Sequence, residues 1–372
     1  MKFNTTEELI EDIRQGRMVV LVDDEDRENE GDLVLAADHV TSEAINFMAS
    51  RARGLICLAM SSEQIERLQL PLMVRDDLNF TPNRTAFTIS IEAATGVSTG
   101  ISAADRAHTI RVASHPAAKA SDVHAPGHVF PIRAQTGGVL KRAGHTEGSV
   151  DLAKLAGCGP AAVICEVMNE DGTMARVGDL RTFAEKHQLK IGTIVDLIEH
   201  RLRTETFVEE LTDPQTPQLQ FPAGFQVRVF RNKLDGHEHV VLQKGNINKD
   251  QPVLVRVHVD HYLRETHSFL QHGRSSLGSA MAQIDKRGAG LFILLRGQNR
   301  AQIWPEIKSW LQSSDVNPPA MDERDYGVGA QILRALGVTQ IDLITSRPER
   351  RVGLKAFGLE IINTVALDDQ LS

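Results

Sequence analysis

Residues 18–37 read MVVLVDDEDRENEGDLVLAA, in which two short apolar runs enclose a densely acidic turn. Runs of Val and Leu of this length, separated by a polar turn, predict two strands joined as a hairpin. The carboxylates of Asp23, Asp24, Glu25, Asp26, Glu28, Glu30 and Asp32 repel one another, with only Arg27 opposing them. An acidic run is either a solvated hairpin tip or a cation site. Strands on both sides would hold this one rigidly, which favours the second reading: a divalent cation relieves the repulsion and leaves Arg27 for an anion. The spacing does not match an EF-hand loop, which needs a central glycine and a terminal glutamate. Magnesium, held by few protein carboxylates together with substrate and water, fits better.

Outward from this hairpin, MVVLV, LVLAA, LICLAM and AAVICEV are strand-like runs alternating with helical patterns, and FTISIEA is strand-like between turns. They predict a mixed α/β domain. The N-terminal MKFNTTEELIEDIRQGR reads as a short amphipathic helix, with Thr5 and Glu8 at capping-box spacing before Leu9, Ile10 and Ile13. Farther on, the helix-like IVDLIEHRLR gives way to TETFVEELTDPQTPQLQFPAG, whose acids, Thr, Gln and prolines read as a linker. Beyond it FQVRVF, HVVLQ and PVLVRVHV predict strands, and QILRALGV then IDLIT a helix and a strand. A chain of 372 residues exceeds one ordinary hydrophobic core, so two domains are expected: residues 1–202, a linker over 203–222, and 223–372.

The apolar fraction of 41% and charged fraction of 24% are those of a globular protein. A formal charge of −8 argues against a general nucleic-acid or anionic-membrane binder while allowing a local basic pocket for a phosphate. No apolar run reaches bilayer-spanning length, the N-terminus lacks a signal-peptide core, and Cys57, Cys158 and Cys165 form no CxxC pair. A reduced cytoplasm is the expected location, with no membrane and no nucleic acid as partner.

A second informative stretch is KRAGHTEGSVDLAKLAG, where Arg142, Gly144, His145 and Thr146 precede a helical run that stops at Gly157. Free N–H groups and the dipole at a helix start attract phosphate, the glycine permits close backbone approach, and Arg142 adds charge-assisted hydrogen bonds. Thr146 is a candidate cap, and a capped surface helix is the competing reading. Glu166, ending AAVICEV, and His128, in the loop-like APGHVFPIRAQTGG, offer acid–base groups. Cys57 reads as a buried small residue rather than a nucleophile. GVSTGISAADR, with Gly96, Ser98, Thr99, Gly100 and Asp105, is either a source of donors to a sugar or a polar loop.

In their order, DDEDRENEGD, GVSTGISAADR, PGHVFPIRAQTGGVLKRAGHTE and CEVMNEDGTMAR resemble 3,4-dihydroxy-2-butanone 4-phosphate synthase of riboflavin biosynthesis, over nearly all of residues 1–202. The resemblance implies an α+β domain that forms a homodimer. It also implies the magnesium- or manganese-dependent conversion of D-ribulose 5-phosphate to 3,4-dihydroxy-2-butanone 4-phosphate and formate. Matched residue by residue, Glu28 and His145 would hold the metal, Arg27, Asp32, Arg142 and Thr146 would surround the substrate, and His128, Glu166 and Asp32 would be catalytic. Such a reaction needs a base for a carbon-bound proton and a Lewis acid for the enediolate, before dehydration, rearrangement and formate loss.

Residues 223–372 resemble GTP cyclohydrolase II, carried by GHEHVVL, VLVRVH, DERDYGVGAQILRALGV and FGLEI, which implies a second α/β domain. That family holds catalytic zinc through three cysteines, and no cysteine follows Cys165. The aligned positions are His261, His272 and Arg274, an arginine cannot ligate zinc, and His258 and His267 lie nearby. The family's glycine-rich nucleotide loop is replaced by QNRAQIW. Asp322 and Arg324 match its proton-acceptor and nucleophile positions, while Thr345 and Arg350 keep nucleotide binding open. The expectation is therefore no zinc, no GTP cyclohydrolase II activity, and a regulatory or structural second domain with at most weak nucleotide binding. Residual activity in a bifunctional enzyme is the alternative.

Overall fold

The computed structural model describes residues 2–24, 27–75, 78–81, 83–212, 220–221, 224–248, 251–259, 276–296, 323–345 and 359–367. It divides into two compact units, Met1–His200 and Arg201–Ser372. Among the described residues, no helix is long and apolar enough to cross a membrane.

The acidic turn joins β1 (Val19–Val22) and β2 (Gly31–Ala36), which pair antiparallel with Val22 opposite Gly31. Both strands are buried on both faces because they lie inside a seven-stranded mixed sheet. Across it run β4 (Ile91–Ala93), β5 (Val123–Arg133), β3 (Cys57–Met60), β6 (Ala161–Glu166), β2, β1 and β7 (Lys190–Thr193). One face buries Val20, Val22, Leu33, Leu35, Leu58 and Val163 with Ile45, Ile65, Ile110 and Leu180 from helices α2 (Ser42–Phe47), α3 (Ser62–Arg67), α4 (Ala103–Ser114) and α6 (Val177–His187). Each such side chain contributes about 1.5–3 kcal/mol by leaving water.

Against the other face lies α5 (His145–Leu155), where Gly148 sits so close to Leu21 that an added Cβ would stand 2.7 Å from its Cδ2. The first helix, α1 (Thr6–Arg14), has the expected capping box: the Glu8 amide donates to Thr5 Oγ1 and the Thr5 amide to Glu8 Oε2. Its Leu9, Ile10 and Ile13 are buried. FTISIEA is shorter as a strand than its pattern suggests, since only Ile91–Ala93 forms β4, while Phe87 and Thr88 make isolated bridges.

In the second unit β15 (Glu360–Ala366), β14 (Gln340–Thr345), β12 (Val253–Val259), β13 (Gly290–Leu295), β11 (Glu238–Lys244), β10 (Phe225–Asn232) and β8 (Val208–Glu210) make one sheet, with β9 (Gln220–Phe221) beside β10. Phe225 and Phe292 pack with Ala280 and Ile284 of α8 (Ser276–Arg287). Part of the segment expected as a linker is not one. The helix α7 (Ile194–Thr204) runs into it, Val208 pairs with Asn232, and Phe207 and Val208 are buried. Two adjacent apolar residues give the chain a reason to dock, whereas the prolines mark residues 213–219, outside the described ones. Within the second unit, Gln331 of α9 (Glu323–Ala335) ties this segment down by accepting from the Phe207 amide at 2.6 Å and donating to the Glu205 carbonyl at 3.0 Å.

Candidate active site

The acidic turn is organised by the buried carboxylate of Asp23. It accepts from the Glu30 amide at 2.8 Å, the Glu28 amide at 3.3 Å and the Arg27 guanidinium at 2.6 Å. These bonds fold the turn so that Glu28 points back toward the start of α5. Its Oε2 lies 2.5 Å from Arg27 Nη1 and 3.7 Å from His145 Nδ1, and its Oε1 accepts from the Asn83 amide. Asp23, Glu28 and His145 each offer a ligand atom, all within 4.8 Å of one another. Glu25 and Asp26 lie outside the described residues.

Beneath this cluster Asp32 of β2 pairs directly with Glu166 of β6. Asp32 Oδ1 is 3.8 Å from His145 Nδ1, and Glu166 Oε2 accepts from the Leu55 amide at 2.9 Å. Burial raises the Asp32 carboxyl to about 7, with His145 opposing and Glu166 reinforcing the shift. For His145 burial disfavours the charge, yet Asp32, Glu28 and Asp23 outweigh it and hold the imidazole at about 9. Contact with His145, against the cost of burial and helped by Arg27, lowers Glu28 to about 2. Buried Asp32 Oδ1 and His145 Nε2 nevertheless have no hydrogen-bond partner among the described residues.

The helix start is built differently from the sequence expectation. Gly144, not Thr146, is the N-cap, no side chain caps the helix, and Thr146 is buried within the first turn. Two guanidinium groups close on Gly144: a Cβ there would stand 2.5 Å from Arg142 Nη1 and 3.1 Å from Arg27 Nη2, so only glycine leaves room. Arg142 donates to Glu147 Oε2 at 2.6 Å, to the Asn83 carbonyl at 3.0 Å and to Thr85 Oγ1 at 3.3 Å. Glu147, 1% exposed at its side chain, also accepts from the Gln135 amide at 2.9 Å.

Asn83 and Glu147 carried no functional signal in the sequence. The partners of Asn83 are 55 and 59 residues away, so no short motif holds them together, whereas Glu147 stands inside KRAGHTEGSVDLAKLAG, 5 residues from Arg142, where nothing marked it as the partner of that arginine. Thus Arg27, Glu28, Asp32, Arg142, His145, Thr146 and Glu166 gather around the mouth of β2 and the start of α5.

His128 does not join them. It lies on β5 rather than in a loop. By strand register it stands two strands from Glu166, roughly 10 Å at the usual spacing. There its Nδ1 meets Glu92 Oε1 at 2.8 Å. The GVSTGISAADR segment is closed on itself: Asp105 accepts from the Ser98 hydroxyl at 2.7 Å and the Gly100 amide at 3.1 Å, which leaves the Ser98 hydroxyl engaged. Cys57 is buried, and burial with Glu166 and Asp32 nearby pushes its thiol well up, against a nucleophilic role. In the second unit His261, His267, His272, Arg274, QNRAQIW, Asp322 and Arg350 lie outside the described residues, as does the Arg324 side chain.

A family model for 3,4-dihydroxy-2-butanone 4-phosphate synthase matches residues 7–200, and one for GTP cyclohydrolase II matches residues 214–366. Riboflavin biosynthesis protein RibBA of Aquifex aeolicus is 50% identical over 383 residues, 98% of this chain and 93% of the relative. The 3,4-dihydroxy-2-butanone 4-phosphate synthase of Pseudomonas aeruginosa is 47% identical over 97% of this chain and 98% of its own length. A rice relative, 43% identical over 98% of this chain and 70% of its own length, is named probable bifunctional riboflavin biosynthesis protein RIBA 1.

Among solved structures, RibBX, a two-domain 3,4-dihydroxy-2-butanone 4-phosphate synthase from A. baumannii, superposes with a TM-score of 0.76 at 42% identity, covering 98% of this chain and all of that one. A second synthase structure, in complex with two magnesium ions, gives 0.52 at 41% identity over 54% of this chain and 98% of its own. The expectation that GTP cyclohydrolase II activity is lacking runs against the second family match and the bifunctional name of a relative spanning both halves. The chain belongs to the 3,4-dihydroxy-2-butanone 4-phosphate synthase family.

Proposed function

We propose that residues 1–200 convert D-ribulose 5-phosphate to 3,4-dihydroxy-2-butanone 4-phosphate and formate with Mg2+ or Mn2+ bound, in a homodimer. The observation that carries this reading is the cluster of Glu28, His145 and Asp23 beside two buried polar atoms without partners among the described residues, Asp32 Oδ1 and His145 Nε2. Carboxylate oxygens with a single imidazole suit a hard or borderline divalent cation rather than a thiophilic one. Glu28 and His145 would hold it, His145 ligating as the neutral imidazole. Bound there, it would supply Lewis acidity toward the sugar's carbonyl and hydroxyl oxygens.

The chain's own groups divide the remaining work. The free N–H groups at the start of α5, with Arg27 and Arg142 converging on Gly144, form the phosphate cradle. Thr146 in that first turn adds a donor close to it. Asp32 and Glu166, paired across β2 and β6, stand where a carbon-bound proton of the sugar is taken up and returned, and His128 serves a further proton transfer. Formate release from ribulose 5-phosphate should require added Mg2+ or Mn2+, and Glu28→Gln should abolish it with the thermal unfolding profile unchanged. Full activity in excess chelator would overturn this reading.

The second unit has no cysteine, so any zinc it took would be held by nitrogen and oxygen donors. Formate release from GTP, assayed with and without zinc, decides whether it performs its family's reaction.

A further inference from the structure

His128 and Glu92 form a pair that no motif announces, because β5 and β4 bring together residues 36 positions apart. The two strands pair antiparallel with a register shift between Ile91 and Glu92. Glu92 begins the shifted part of the ladder, opposite His124. The backbone of Gly100 lies against its carboxylate. Gly100, at φ +84°, lies so near that a Cβ would fall 1.2 Å from Glu92 Oε1. Any larger residue at position 100 would displace the carboxylate. Gly100 is itself pinned by the hydrogen bond its backbone N–H donates to Asp105 Oδ2. The GVSTGISAADR loop thus forms the back wall of the Glu92 site.

We propose that Glu92 is the positioning residue for His128, selecting its tautomer and ring orientation. An ionised carboxylate only accepts hydrogen bonds, so the 2.8 Å contact makes Nδ1 the donor and leaves Nε2 as the basic nitrogen. The same logic orients the imidazole of hydrolytic triads, where a carboxylate behind the ring fixes which nitrogen faces the substrate. The His128 side chain remains 44% exposed while Glu92 is 21% exposed, so the ring presents its free edge to solvent with its anchor behind it. This inference rests on the reading of His128 as an acid–base group.

The test uses the full-length protein labelled with 15N-histidine, the His128 signals being assigned by their loss in His128→Ala. Wild type should show the Nε2-lone-pair tautomer at His128 when the ring is neutral. Glu92→Gln should shift the tautomer balance and lower kcat about 100-fold, the low end of what a positioned acid–base group supplies, with KM changed less than threefold. Glu92→Asp, which keeps the carboxylate, should recover most of both. An unchanged tautomer signal in Glu92→Gln would overturn the pairing. A changed signal with unchanged kcat would instead overturn the acid–base reading of His128 and the positioning role with it, leaving the metal and phosphate assignments standing.

Discussion

Arg142 is bonded to Glu147, Asn83 and Thr85 before any substrate arrives, so its guanidinium is oriented in advance. Preorganisation of this kind reduces the ordering cost of binding an anion. It also makes Arg142→Ala a compound change, since Glu147 at 1% exposure loses its charged partner. We expect the substrate KM to rise about 10- to 100-fold, the worth of one charge-assisted bond. Thermal stability should fall by about 3 kcal/mol. The double variant Arg142→Ala/Glu147→Gln should regain much of the stability and none of the affinity. Steady-state kinetics with thermal denaturation separate the two effects, and a fall in kcat at constant KM would show Arg142 acting elsewhere.

At the level of elements, the turn between β1 and β2 is held by one side chain. Asp23 accepts two backbone amides and the Arg27 guanidinium, which leaves it a poorer metal ligand than Glu28 despite its proximity. Asp23→Ala should therefore loosen the turn rather than delete a ligand. Hydrogen exchange at the Glu28 and Glu30 amides should accelerate, and Mn2+ binding by calorimetry should weaken about tenfold, with β1 and β2 still protected. Weakened binding with unchanged exchange would make Asp23 a ligand instead. The acidic pattern of residues 23–32 pointed to a candidate cation cluster, and the two strands that flank it were legible as well. What the sequence did not reveal was that Asp23 serves the backbone, because that role depends on how the turn closes.

For the whole molecule, the two units respond to pH through different buried groups. In the second unit His239 is 3% exposed, its Nδ1 accepts from the Arg296 amide at 3.1 Å, and burial lowers the imidazole to about 4. Because the folded value lies below that of the unfolded chain, near 6.5, the unfolded state binds the proton first as pH falls. Stability is thus unaffected above about pH 7 and is lost between about 6.5 and 4, by up to about 3 kcal/mol. The unfolding transition of the second unit should move to lower temperature from pH 7 to 5, and His239→Gln should flatten that dependence. An equally steep slope in the variant would assign the effect to another group.

Sequence alone determined β1, β2, β3, β6 and the N-terminal helix, because short apolar runs bounded by turns and a capping box act through neighbours a few residues apart. It also named the acids, arginines and histidine that gather in the candidate site, through strings long enough to carry a family resemblance. Tertiary structure decided what those groups touch. The Glu147 contact to Arg142, the Asn83 bridge between Glu28 and Arg142, and the Glu92 anchor of His128 all arise where separate strands and turns meet. The docking of Phe207 and Val208, within a segment whose composition reads as linker, was decided in the same way. Such contacts leave no periodicity or spacing along the chain, since hydrogen bonding and burial depend on distance in space rather than on separation in sequence.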